Sequence, residues 1–170
     1  MALVSFDSFT LQHKDFRRRQ WPDSLYAQLS HASRFLQELR RTLQYGELSR
    51  APLRLLRFQI SDGIAECDWM ARSPDPWDAG LPSQIQQEHE TLQAIRDAID
   101  IRAFLFDAFP NLETANLNAY RESVNFTPEI IIAGSVHRND QSARSIHSIV
   151  MRAKVLGFRF RMEGAALKKL

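Results

Sequence analysis

Apolar and polar positions alternate most regularly between Leu53 and Ala71, on either side of Asp62-Gly63. Asp-Gly is a strong signal for a two-residue type I′ turn, because both central positions need φ > 0. A hairpin folded about it sets Ile60 opposite Ala65, Phe58 opposite Cys67 and Leu56 opposite Trp69, all on one apolar side. The other side pairs Gln59 with Glu66, Arg57 with Asp68 and Leu55 with Met70, so one opposite-charge pair falls across the ladder. Slipping the strands by one residue would turn every side chain over, and the register is specified for that reason. Trp69, Phe58 and Leu56 are therefore expected in the main core.

Helical periods surround the hairpin. Leu25, Leu29, Ala32, Leu36, Leu39 and Leu43 recur at spacings of 3 and 4, behind Trp21-Pro22-Asp23-Ser24, where Asp23 or Ser24 can cap, and before Gly46, which can terminate. Ser73 to Pro82 holds three prolines and reads as an irregular connector. Ser83 and Gln86 then form a capping box for a long helix over 84–109, with Ile85, Leu92, Ile95, Ile99, Phe106 and Phe109 on one stripe and Pro110 as the stop.

Strand periods return after Pro110. Ala115, Leu117 and Ala119 alternate with Asn116, Asn118 and Tyr120, which predicts a half-buried strand. Following a turn near Asn125 to Pro128, the run Ile130-Ile131-Ile132 predicts a strand buried on both faces, hence central. A third helix is expected to start at Asn139 to Ser142, to present Ile146, Ile149, Val150, Ala153 and Leu156, and to end at Gly157. The chain closes on a strand whose Phe158, Phe160 and Met162 point inward and whose Arg159, Arg161 and Glu163 point outward.

The order α-ββ-α-ββ-α-β predicts an α+β two-layer sandwich: a largely antiparallel sheet of about five strands with helices packed on it. From the second hairpin strand onward this is the ferredoxin-like element order, and the whole also fits tandem α-ββ units. Residues 1–22, with Phe6, Phe9, Leu11 and Phe16 in no clean period, read as an N-terminal arm or edge segment, and 23–170 as one domain. A chain of 170 residues buries roughly 70% of its unfolded surface and needs no metal or disulfide as a staple.

Charge changes the picture more than composition does. The net charge is only +2, but residues 1–60 carry +5, residues 61–129 carry −9 and residues 130–170 carry +6. These segments can neutralise one another within the fold, or the basic ends can form a surface for nucleic acid or another acidic partner. The lone Cys67 falls on the apolar face and reads as a small buried hydrophobe. No apolar run reaches the length of a membrane span and no basic-then-apolar leader opens the chain, so a soluble, cytoplasmic protein without membrane contact is expected.

Candidate chemistry is sparse. The five histidines lack metal-site spacings, so no metal and no cofactor are expected. His137-Arg138-Asn139-Asp140 with Arg144 and His147 stands where a strand end meets a helix start, a place that suits an anion but equally an ordinary turn and cap. Arg138, Arg144, Arg159 and Arg161 are thus the candidates for anion or nucleic-acid contact. Aromatics for base stacking are not among them, which leaves phosphate contact as the mode. Trp77, between Pro76 and Asp78, reads first as a plug over the core and second as an exposed anchor for a partner.

No nucleophile, base and oxyanion-hole set is recognisable, and no catalytic residue is assigned. The expected function is a binding or self-associating, non-catalytic module, with a homodimer favoured by the leucine stripe and the opposed charges. Nucleic-acid binding through the basic ends is the alternative, and a small-molecule enzyme without a recognisable motif is the second.

Overall fold

The structure, a computed structural model, describes residues 33–35, 37, 54–123, 126–139, 143 and 145–170. The N-terminal arm and most of the leucine stripe lie outside these residues. Residues 33–35 and 37 are helical, and Phe35 is fully buried, its ring stacked on Phe58 at 5.1 Å and tilted against Phe109 at 5.9 Å.

Strands β1 (Arg54–Ser61) and β2 (Ile64–Met70) form the expected hairpin, with Asp62 at φ 52° and Gly63 at φ 75° in the turn. The predicted register holds from Ile60–Ala65 through Arg57–Asp68. There it shifts: Leu55 pairs with Trp69, and Leu56 stands as the extra residue of a bulge. Leu56 is 42% exposed and is not a core residue, whereas Trp69 and Phe58 are buried as expected. Arg57 and Asp68 stand opposite each other across the ladder as expected, but their side chains take other partners. Arg57 Nη2 reaches diagonally to Glu66, while Asp68 accepts 2.8 Å from Asn118 Nδ2.

Helix α1 (Ser83–Ala108) connects β2 to β3 (Thr114–Glu122), which lies parallel to β2 in the register Cys67–Leu117. Adjacent parallel strands need such a crossover, since no tight turn can join them. The N-cap of α1 is Pro82, without a side-chain cap. Ser83 and Gln86 therefore make no capping box: Gln86 Nε2 instead donates to Leu81 O at 2.8 Å. Of the predicted stripe, Ile95 and Phe106 are buried, Leu92, Ile99 and Phe109 are half-buried and Ile85 is exposed; Thr91, Ala94, Ala98, Ile101 and Leu105 widen the buried face beyond it.

Strand β3 buries Ala115, Leu117 and Ala119 as their alternation predicts, and pairs antiparallel with β4 (Pro128–His137). A second bulge sits at Ile131, between the pairs Ala119–Ile132 and Tyr120–Ile130. Ile131 and Ile132 are consecutive in sequence yet both buried. The expected third helix is shorter: α2 covers Ile149–Val155, Ser148 caps it by accepting from Met151 N at 3.4 Å, and Ile146 lies in the preceding loop. Gly157 follows at φ 95°, where a Cβ would stand 2.8 Å from Ser135 O, so glycine is required both for the turn and for the close approach.

The closing strand is split. β5 (Phe158–Arg159) pairs with β4, and a separate ribbon of β6 (Arg161–Glu163) and β7 (Ala166–Lys168) turns at Gly164, φ 60°. Phe158 points inward as predicted, but Met162 is exposed. Thr91 ties the ribbon to α1 by donating to Ala165 O at 2.7 Å and accepting from Leu167 N at 3.2 Å.

The result is an α+β two-layer fold with a five-stranded sheet in the order β1-β2-β3-β4-β5, largely antiparallel with one parallel pair. A split βαβ unit would place another strand between its two parallel ones. Here β2 and β3 are hydrogen-bonded neighbours, so the arrangement is two hairpins side by side with an appended α-β.

Candidate functional site

The connector after β2 is ordered by its own sequence. Pro76 supplies a helical φ at the first position, and Asp75 Oδ1 accepts from Trp77 N at 3.1 Å, so Pro76–Gly80 forms a 3₁₀ turn where irregular chain was expected. Asp78 N donates to Asp75 O and Leu81 N to Asp78 O, both at 2.9 Å. His89 Nδ1 lies 3.0 Å from Asp78 Oδ2 and clamps the turn to α1. On this fixed support Trp77 is 75% exposed. It is not a plug over the core; that position belongs to Trp69, which is fully buried.

Two clefts flank the connector and share Arg72, Pro74 and Glu90. One, of about 300 Å³, runs beside Trp77 and is lined also by Asp75, Asp78, His89 and Leu92. The other, of about 390 Å³, lies beyond the carboxyl ends of β2 and β3, between α1 and the β6–β7 ribbon. Its charged lining is Arg72, Arg121, Lys168 and Glu90.

Behind both clefts is a buried ion pair. Arg72 Nε stands 3.0 Å from Asp97 Oδ2, with the two side chains 2% and 1% exposed, and Gln93 Nε2 donates to Asp97 Oδ1 at 2.8 Å. Burial pushes the Asp97 carboxyl up to about 6 from 3.8, against the lowering influence of Arg72 and the Gln93 hydrogen bond. Burial also raises Glu90, with Asp78 adding to the rise and Arg121 opposing it. Cys67 is fully buried, and burial raises its thiol far above the ordinary range, so it is no nucleophile.

The residues singled out from sequence do not converge. Arg138 is engaged structurally: Nε donates to Leu112 O at 2.8 Å, Nη2 to Phe109 O at 2.5 Å, and the guanidinium lies 5.2 Å from the Phe106 ring centroid. Arg102 covers the same ring at 5.1 Å and donates to Arg138 O at 3.1 Å. Arg144 lies outside the described residues. Arg159 and Arg161 are exposed, one on the main sheet and one on the ribbon. Among the described residues no group of three metal-ligating side chains gathers, and no helix is long and apolar enough to cross a membrane.

Sequence reasoning passed over Arg72, Asp97 and Arg121. Asp97 carried a usable signal: it falls in phase with Ala94, Ile101 and Leu105 on the buried face of α1, where a charge must find a partner. Comparison with protein-family models, with curated proteins and with solved structures finds no match to this chain.

Proposed function

We propose that the protein is a non-catalytic binding module that self-associates, with Trp77 as its anchor. The observation that supports this reading is the combination of a 75% exposed Trp77 with a hydrogen-bonded, proline-started turn beneath it. A large aromatic held in place loses little entropy when it docks, and such residues dominate the energetics of interfaces. Leu81 and Ile85, both exposed, follow in the same turn-to-helix junction and extend the apolar surface. The partner is a second copy of the chain, giving a homodimer. The same reading puts the protein in the cytoplasm, where a lone thiol such as Cys67 stays reduced.

Sedimentation equilibrium up to about 100 μM, a range that detects even weak dimers, should give a mass above the monomer for the wild type. Trp77→Ser should return it to the monomer. A wild-type monomer throughout that range rejects self-association.

A second reading rests on Arg159 and Arg161, which are exposed and which no hydrogen bond or ion pair engages among the described residues. Contact with nucleic acid through them would be weakly sequence-dependent and would fall steeply with salt. Failure to retain mixed RNA or DNA at about 50 mM salt removes it.

A further inference from the structure

We propose that the cleft of about 390 Å³ between α1 and the β6–β7 ribbon binds a small anion, a molecule carrying a carboxylate or phosphate beside a hydroxyl or amine. The cleft shares Arg72, Pro74 and Glu90 with the one beside Trp77, but the proposal does not rest on self-association through Trp77.

The argument begins with position. The cleft opens past the carboxyl ends of the two parallel strands, where Arg72 follows β2 and Arg121 nears the end of β3. In sheets with parallel strands that end is where ligands bind, because the connections diverge there and leave a crevice. Its volume falls within the range of small-molecule sites.

The charges then define the ligand. Arg72 is neutralised from behind by Asp97 and serves as a buried support for the wall. Arg121 donates once, from Nη1 to Leu167 O at 3.2 Å, and no other hydrogen bond or ion pair engages it among the described residues. An arginine has five N–H donors, so most of its fork remains for an acceptor in the cleft. Lys168 lines the same cleft from β7, and its 3.3 Å partner, Glu163, is largely exposed and therefore screened by water. Opposed to these two cations is one carboxylate, Glu90, which is half-buried and makes no hydrogen bond or ion pair among the described residues. Two donor cations would hold the acidic group. Glu90 would accept from the neighbouring hydroxyl or amine, which distinguishes such a ligand from a bare ion.

The test is an amide-resolved NMR titration of the full chain with inorganic phosphate and, separately, with succinate, against sodium chloride at equal ionic strength. Either probe should shift the amides of Arg72, Gln87, Arg121 and Lys168 and saturate in the low millimolar range, about that of a few charge-assisted hydrogen bonds. Arg121→Gln and Lys168→Gln should each weaken binding by about tenfold. Glu90→Gln should tighten phosphate severalfold by removing the repelling charge, an effect that a purely structural role would not produce. Arg54→Gln, an exposed change on β1, should leave affinity unaltered. Shifts that chloride reproduces, or that fail to saturate, would overturn the proposal. So would unchanged affinity in folded Arg121→Gln and Lys168→Gln proteins.

Discussion

Asp97 offers a direct measurement of which effect governs a buried ion pair. Burial favours the neutral carboxyl, while Arg72 at 3.0 Å and the Gln93 amide at 2.8 Å favour the ion, and the balance leaves the group at about 6 in the fold against 3.8 when free. The folded state therefore holds this proton more tightly than the unfolded chain. The stability that follows is fully present below pH 4 and is lost as pH rises through 6, because the unfolded chain ionises first. At about 1.4 kcal/mol per pH unit, the loss over that window is about 3 kcal/mol. Burial raises Glu90 and Asp100 as well, so the comparison must be made with Asp97→Asn, which keeps the shape and removes the titration of this one group. We predict that the stability of wild type minus that of Asp97→Asn, from urea unfolding at successive pH values, falls by about 3 kcal/mol between pH 4 and pH 7. A flat difference would mean that Arg72 fully offsets the loss of hydration. A rising difference would mean that the pair outweighs burial and that the sign of the argument is wrong.

Trp69→Ala should cost about 3–5 kcal/mol, since the indole is fully buried in the core; a cost below about 1 kcal/mol in urea unfolding would show that the core closes without it. Leu56→Ala, at the exposed bulge, should cost less than about 1 kcal/mol in the same assay, and a loss as large as that of Trp69→Ala would place Leu56 back in the core. Arg138→Leu should destabilise by about 1–3 kcal/mol, because Phe109 O and Leu112 O lose their charged donor; an unchanged midpoint would show that water replaces the guanidinium there.

What could be read from the chain was local. Asp62-Gly63 carries its own backbone requirement, and the pairs nearest to it, from Ile60–Ala65 to Arg57–Asp68, follow from that turn alone. The bulge at Leu56 was not legible, because Leu55 and Leu56 are both apolar and either could face inward. The stripe of α1 was legible only in part: Ile95 and Phe106 are buried as their spacing predicts, but Thr91, Ala94 and Ala98, small residues that a search for large apolar side chains passes by, widen the buried face. The parallel joint between β2 and β3 was hidden by the two hairpins that contain them, whose local signals are antiparallel. The cleft of about 390 Å³ came from the same joint: it lies where β2 and β3 end together, so Arg72 and Arg121, far apart in sequence, had no common signal.

That parallel joint also sets the order in which the chain can assemble. Each hairpin closes over a short turn and can form within microseconds, but β2 meets β3 only after residues 71–113 have looped back. The entropy of that closure is spent before any contact rewards it. Folding should thus be limited by the meeting of two preformed ribbons on α1. Substitutions at Cys67 and Leu117 along the seam, and on β1, whose hairpin is already closed when the ribbons meet, should slow refolding in proportion to the stability they remove, while changes on the appended strand β5 should mainly hasten unfolding. Chevron plots in which β1 and seam variants hasten unfolding and leave refolding unchanged would contradict this sequence of events.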